Sequence, residues 1–101
     1  MPEAAKKKGY VILTEEVKDP AGMAEYGKLA MQAMAGANIL AVDQKPQVIE
    51  GDWHGSQTVV LEFESVDAAR AWYESEAYQK AAKVRQQAAE CNAVILAGFG
   101  S

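Results

Sequence analysis

The chain has 101 residues, half of them hydrophobic and 24% charged, with a formal net charge of -4. That length suits one domain with a real core and is too short for two. The acidic balance argues against a nucleic-acid or anionic-membrane partner, because phosphate recognition needs a basic face, and the one basic run, Lys6-Lys7-Lys8, lies in a terminal stretch.

A single cysteine, Cys91, rules out an intramolecular disulfide, so the chain does not require an oxidising compartment. Residues 1–8 hold no apolar core of signal-peptide length, and no apolar run approaches the roughly 20 residues of a membrane span. The expected location is the cytoplasm.

Residues 1–8 read as a disordered leader, 9–98 as one domain and 99–101 as a tail. Tyr10 to Val17 is rich in β-branched and aromatic residues and reads as a strand, with Glu15 and Glu16 running into solvent or reaching a cleft rim. Asp19-Pro20 suits the start of a helix. Met23, Tyr26, Ala30, Met31 and Met34 then recur at helical spacing, a stripe expected to pack into the core rather than to hold a cofactor. Asn38 to Val42 is a second strand, interrupted near Pro46, after which Gln47 to Glu50 is expected to resume extended structure.

Gln57 to Phe63 is the third strand, with Val59, Leu61 and Phe63 on one face. Ser65 is placed to cap the next helix, and Ser75 to cap a further segment from Glu76 to about Ala89 that puts Tyr78, Ala82, Arg85 and Ala89 on one face. Cys91-Asn92 is expected to end the helical part, and Ala93 to Ala97 forms the last strand. The order strand, helix, strand, strand, helix, strand predicts an α+β, ferredoxin-like βαββαβ fold: an antiparallel four-stranded sheet with its helices on one face.

Such a sheet should alternate apolar and polar residues if its second face were wet. Tyr10 to Leu13 and Val94 to Leu96 are instead apolar at consecutive positions. A second copy packed on the uncovered face, a symmetric homodimer, removes that exposure.

Glu50-Gly51-Asp52-Trp53-His54 gathers two carboxylates, an indole and the only histidine of the chain. Glu50 or Asp52 would serve acid–base chemistry if burial beside Trp53 raised a carboxyl pKa; otherwise they shape a turn. His54 would be a proton shuttle or an exposed loop residue. Trp53, Tyr26, Tyr73 and Tyr78 would wall a ligand pocket or pack the core, and Arg85 would hold a ligand anion or snorkel to solvent. With one His and one Cys, no metal site is expected, and no glycine-rich phosphate loop is present. No cofactor is expected; a small-molecule ligand is.

Lys8-Gly9-Tyr10-Val11, Asp19-Pro20 with Tyr26, Glu50-Gly51-Asp52-Trp53, Val60-Leu61-Glu62-Phe63, Ala68-Ala69-Arg70-Ala71-Trp72-Tyr73, Ser75 with Tyr78, and Arg85 together resemble the domain-of-unknown-function family DUF1330. The likeness runs from about Lys8 to Gly98. It implies a ferredoxin-like monomer whose dimer closes two sheets into an α/β barrel. It implies no activity, and the wider superfamily spans cofactor-independent oxygenases, isomerases, haem-degrading enzymes and binding regulators. The sole His54, on a glycine-flanked loop, makes haem unattractive. The two functional readings are a cofactor-independent acid–base enzyme acting on a small molecule and a non-catalytic dimer that binds a metabolite or assists another enzyme.

Overall fold

The structure, a computed structural model, describes residues 7–99. The leader reading therefore falls mostly on residues that lie outside the described ones, as do the last two residues of the tail. Strand β1 (Gly9–Val17) is followed by α1 (Pro20–Gln32), β2 (Asn38–Asp43), β3 (Gln57–Phe63), α2 (Val66–Glu74), α3 (Glu76–Ala88) and β4 (Ala89–Ala97). The sheet order is β2-β3-β1-β4 with every neighbour antiparallel, the ferredoxin-like arrangement.

Register assigns the faces. Leu13 lies opposite Val59 on β3 and Ala93 on β4; Val11 lies opposite Leu61 and Ile95. These side chains point to the helices, and Val11, Leu13, Leu61 and Phe63 are almost fully buried there. Trp72 of α2 packs on Phe63 (ring centroids 5.1 Å apart) and on Tyr78 (4.0 Å). Its indole N–H donates to the Ala33 carbonyl at 2.8 Å, which ties the end of α1 to the core.

The serine caps form as expected: Ser65 Oγ accepts from the Ala68 N–H at 3.0 Å, and Ser75 Oγ accepts from the Tyr78 N–H at 3.2 Å. Asp19 stands at the cap position of α1, but its side chain makes no capping bond, and Pro20 opens the helix.

Two expectations are corrected and a third holds in part. Residues 47–50 form no strand; the connection from β2 to β3 is irregular throughout. Strand β4 begins at Ala89, directly after α3, so Cys91 and Asn92 belong to the sheet. Part of the α1 stripe, namely Tyr26, Ala30 and Met34, packs against the core as expected, but Met31 is 64% exposed and no residue is fully buried on α1. The helix lies alongside α3 and stands off from β2 and β3, with an open apolar cleft of about 460 Å³ between.

The other sheet face carries Tyr10, Ile12 and Thr14 of β1, aligned with Glu62, Val60 and Thr58 of β3 and with Leu96, Val94 and Asn92 of β4. No helix covers it, and Val94 and Leu96 remain about half exposed (49% and 48%). Among the described residues no helix is long and apolar enough to cross a membrane.

Candidate functional site

Strand β1 carries two neighbouring polar residues to opposite sides of the sheet. Thr14 points to the uncovered face and Glu15 to the helices, as the two-residue period requires. Across the sheet, Glu15 is flanked by Gln57 on β3 and Cys91 on β4. Helices α1 and α3 cover that row with Tyr26, Tyr78 and Arg85. The backbone N–H groups of Lys18 and Asp19 both donate to the Ala88 carbonyl, at 2.8 and 2.9 Å, and so hold the end of α3 over the end of β1.

Glu15 is fully buried. Gln57 Nε2 donates to its Oε1 at 2.6 Å, while its Oε2 has no protein partner. Burial pushes its carboxyl above the usual 4.5; the Gln57 hydrogen bond and the Arg85 charge pull the other way without cancelling the rise. Arg85 is 3% exposed, and its Nε likewise lacks a protein partner. Its guanidinium lies 5.9 Å from the centre of the Tyr26 ring, a cation–π distance. Burial alone would lower its pKa, but Tyr78, Cys91 and Tyr26 outweigh that, so the guanidinium keeps its charge. The Tyr26 and Tyr78 hydroxyls share a hydrogen bond of 2.8 Å, and burial raises both phenols.

This polar layer has an opening on each side. Tyr26 and Gln57 reach the apolar cleft beneath α1, whose walls include Met23, Met31, Met34, Val59 and Leu61. Arg85 and Cys91 reach a shallow depression of about 440 Å³ beside Tyr73, Gln86 and Glu90.

The loop 50–54 sits on the other side of the sheet. Trp53 is 52% exposed and its indole N–H donates to Thr58 Oγ1 at 2.8 Å. His54 Nδ1 and Thr14 Oγ1 are 2.7 Å apart, and His54 Nε2 lies 3.7 Å from Glu90 Oε1. Glu50 is exposed and lines a hollow of about 340 Å³ with Trp53 and Thr58; Asp52 is exposed as well. Gly55 turns this loop back onto β1. Its φ of +83° suits glycine, and a Cβ there would come within 2.7 Å of the Glu15 carbonyl oxygen. The Ser56 N–H donates to that same carbonyl at 3.0 Å.

The residues singled out in the sequence are thus not gathered in one cavity. Tyr26, Tyr78 and Arg85 share the layer under the helices, Tyr73 stands at its outer edge, and Glu50, Asp52, Trp53 and His54 lie across the sheet. Glu15 and Gln57 were missed as site residues. The signal for Glu15 was its parity: it occupies the same face as Val11 and Leu13. Among the described residues no group of three or more His, Cys, Asp and Glu side chains converges as a metal site would require.

Residues 8–99 match the family described as a domain of unknown function, DUF1330. No curated protein matches the chain. Among solved structures, a protein of unknown function from Rhodopseudomonas palustris aligns with a TM-score of 0.70 at 19% identity, over 95% of this chain and 85% of that one. A dimeric ferredoxin-like protein of unknown function from Thermobifida fusca gives 0.63 at 14% identity, over 91% and 92%. SnoaB, a cofactor-independent oxygenase from Streptomyces nogalater, gives 0.60 at 13% identity, over 96% and 97%. At such identities the likeness establishes the fold and leaves the chemistry to the site.

Proposed function

The chain belongs to the DUF1330 family, whose description leaves function open, and we propose that this member is a homodimeric small-molecule enzyme working by proton transfer without a resident cofactor. The observation that carries this reading is Glu15: a fully buried carboxyl with a raised pKa and one free oxygen, held directly behind Gln57, which lines the cleft beneath α1. A carboxylate of raised proton affinity is a stronger base than one in water, and its pKa lies closer to working pH. The Arg85 charge favours the ionised form of Glu15 and so moderates the rise that burial causes. Tyr26 and Gln57 orient the substrate, and an apolar substrate seated in the cleft displaces water from its walls.

The homodimer forms through the uncovered sheet face. Ile12, Val60, Val94 and Leu96 are its apolar centre, and the exposed Trp53 and Val48 of the loop border it. Glu50, Asp52 and His54 belong to that border, where they set the rim of the interface rather than the reacting centre.

Deuterium incorporation tests the chemistry directly. A panel of enolisable compounds in heavy water is incubated with the protein and followed by NMR. Exchange accelerated by the wild type and abolished in Glu15→Gln supports the assignment; equal exchange by both proteins sinks it. A second reading, a non-catalytic binding dimer, is favoured by one fact: the Gln57 amide stands between Glu15 and the cleft. Saturable binding with no exchange on any compound would select it.

A further inference from the structure

We infer that the cleft beneath α1 takes a neutral, mainly apolar molecule with a single carbonyl or hydroxyl group at one end, and that it rejects carboxylates. This rests on the acid–base reading of Glu15 and names the substrate class for that site.

The cleft has about 460 Å³ of free volume, within the range of sites that enclose small ligands. Its lining contains no charged side chain. Met23, Met31 and Met34 form one wall, and their unbranched, polarizable side chains adapt to varied apolar shapes. Opposite them stand Val59 and Leu61 of β3 and Ile39 and Val42 of β2, the last two 44% and 56% exposed for want of anything packed on them.

Apart from the exposed Gln44 amide in the connection after β2, the hydrogen-bonding side chains of the lining not already tied to backbone, Tyr26 and Gln57, stand where the cleft meets the buried layer. There Tyr26 has its hydroxyl engaged with Tyr78, and Gln57 has one amide N–H engaged with Glu15. What remains for a ligand at this inner end is the Gln57 carbonyl, its second N–H and the Tyr26 oxygen. One hydroxyl or carbonyl oxygen can be satisfied by those groups.

A carboxylate cannot. It would lose its hydration in an apolar site. Behind the polar end stand both Glu15, past Gln57, and Arg85, 5.9 Å from the Tyr26 ring centre, so opposite charges offset each other there and no cation reaches the lining. Arg85, the one buried cation of this layer, opens to the depression beside Cys91 and is absent from the cleft lining. The separation of Arg85 from the cleft is what removes the expectation of a carboxylated substrate held by that arginine.

Two probes of nearly equal size decide the matter: acetophenone, a neutral ketone, and benzoate. Each is titrated into isotope-labelled full-length protein at neutral pH, with binding followed by amide shifts in α1, β2 and β3. Acetophenone is expected to bind at least about tenfold more tightly than benzoate, equivalent to about 1.4 kcal/mol. Met31→Glu, at a position 64% exposed and so tolerant of charge, is expected to weaken acetophenone by about fivefold or more by placing an anion at the cleft wall. Benzoate binding as tightly as acetophenone, shifts confined to the Arg85 depression, or no binding of either probe would overturn the inference. Acetophenone binding without Glu15-dependent exchange leaves the ligand class standing and removes the catalytic reading. Glu15-dependent exchange seen only on carboxylates does the reverse.

Discussion

Thr14 and Glu15 are adjacent in β1 and end in opposite environments. Thr14 turns to the uncovered face and meets His54 on a loop that solvent reaches. Glu15 turns under the helices, where it is fully buried and its pKa rises. A one-residue step in a strand thus separates a face that no helix covers, where Thr14 is 9% exposed beneath the loop, from a dry polar layer under the helices. Under the helices burial pushes Glu15, Tyr26 and Tyr78 upward together, because the cost of charge depends on access to water rather than on the number of neighbouring carboxylates.

The largest effect should come from the buried side. Glu15→Gln keeps the Gln57 hydrogen bond through its own amide oxygen and is expected to lower deuterium exchange by about a hundredfold or more, the lower range for loss of a general base. The same variant should alter the pH dependence of stability. Between 4.5 and the raised pKa of Glu15, the folded chain holds a proton that the unfolded chain has lost, so wild-type stability falls as pH rises across that window. Thermal melts of Glu15→Gln over the same range should lack this fall. A parallel decline in both proteins would contradict the burial argument.

On the open side the strongest perturbation is Val94→Lys. It places a charge at the apolar centre of the uncovered face, where the wild-type side chain is 49% exposed in the single chain. Light scattering should report a dimer for the wild type and a monomer for the variant, with unchanged circular dichroism. A monomeric wild type at high micromolar concentration would remove the face-to-face assembly altogether.

Gly55→Ala acts on the seam between the two sides. It forces a positive φ on an L-residue and presses a methyl on the Glu15 backbone, so denaturant titration should show a loss of about 1–3 kcal/mol. Arg85→Met should change stability less, since exchanging a buried charge for an apolar side chain of similar volume is often neutral or better. Its signature is the pH profile. Without the guanidinium, Glu15 holds its proton to higher pH, so the acidic limb of the exchange profile moves upward. Smallest of all, Glu50→Gln and Asp52→Asn change exposed side chains and should stay within about 0.5 kcal/mol of wild type.

Much of the fold was legible before any coordinates. Strand alternation, the Ser65 and Ser75 caps and the order of elements specify the ferredoxin-like sheet, since these signals arise from neighbours along the chain. The site was less so. Tyr26, Tyr78 and Arg85 stood out as members of helical faces, and they do share one layer. Glu50 and His54 stood out because they are close in sequence to other reactive groups, and the fold carries them across the sheet from Arg85. Glu15 was passed over because apolar residues at consecutive positions from Tyr10 to Leu13 hide the parity that puts it inside.

By itself, then, the sequence determined the architecture and the apolar character of both sheet faces, because hydrophobic period and capping are local properties. Only the tertiary structure decided which polar side chains lose water together. That depends on how α3 lies over the end of β1 and on how far α1 stands off from β2 and β3, and neither is encoded in the spacing of any single segment. The loop Glu50-Gly51-Asp52-Trp53-His54, conspicuous in the sequence, became an edge of the uncovered face. A glutamate that the sequence placed at a strand end became the centre of the buried layer.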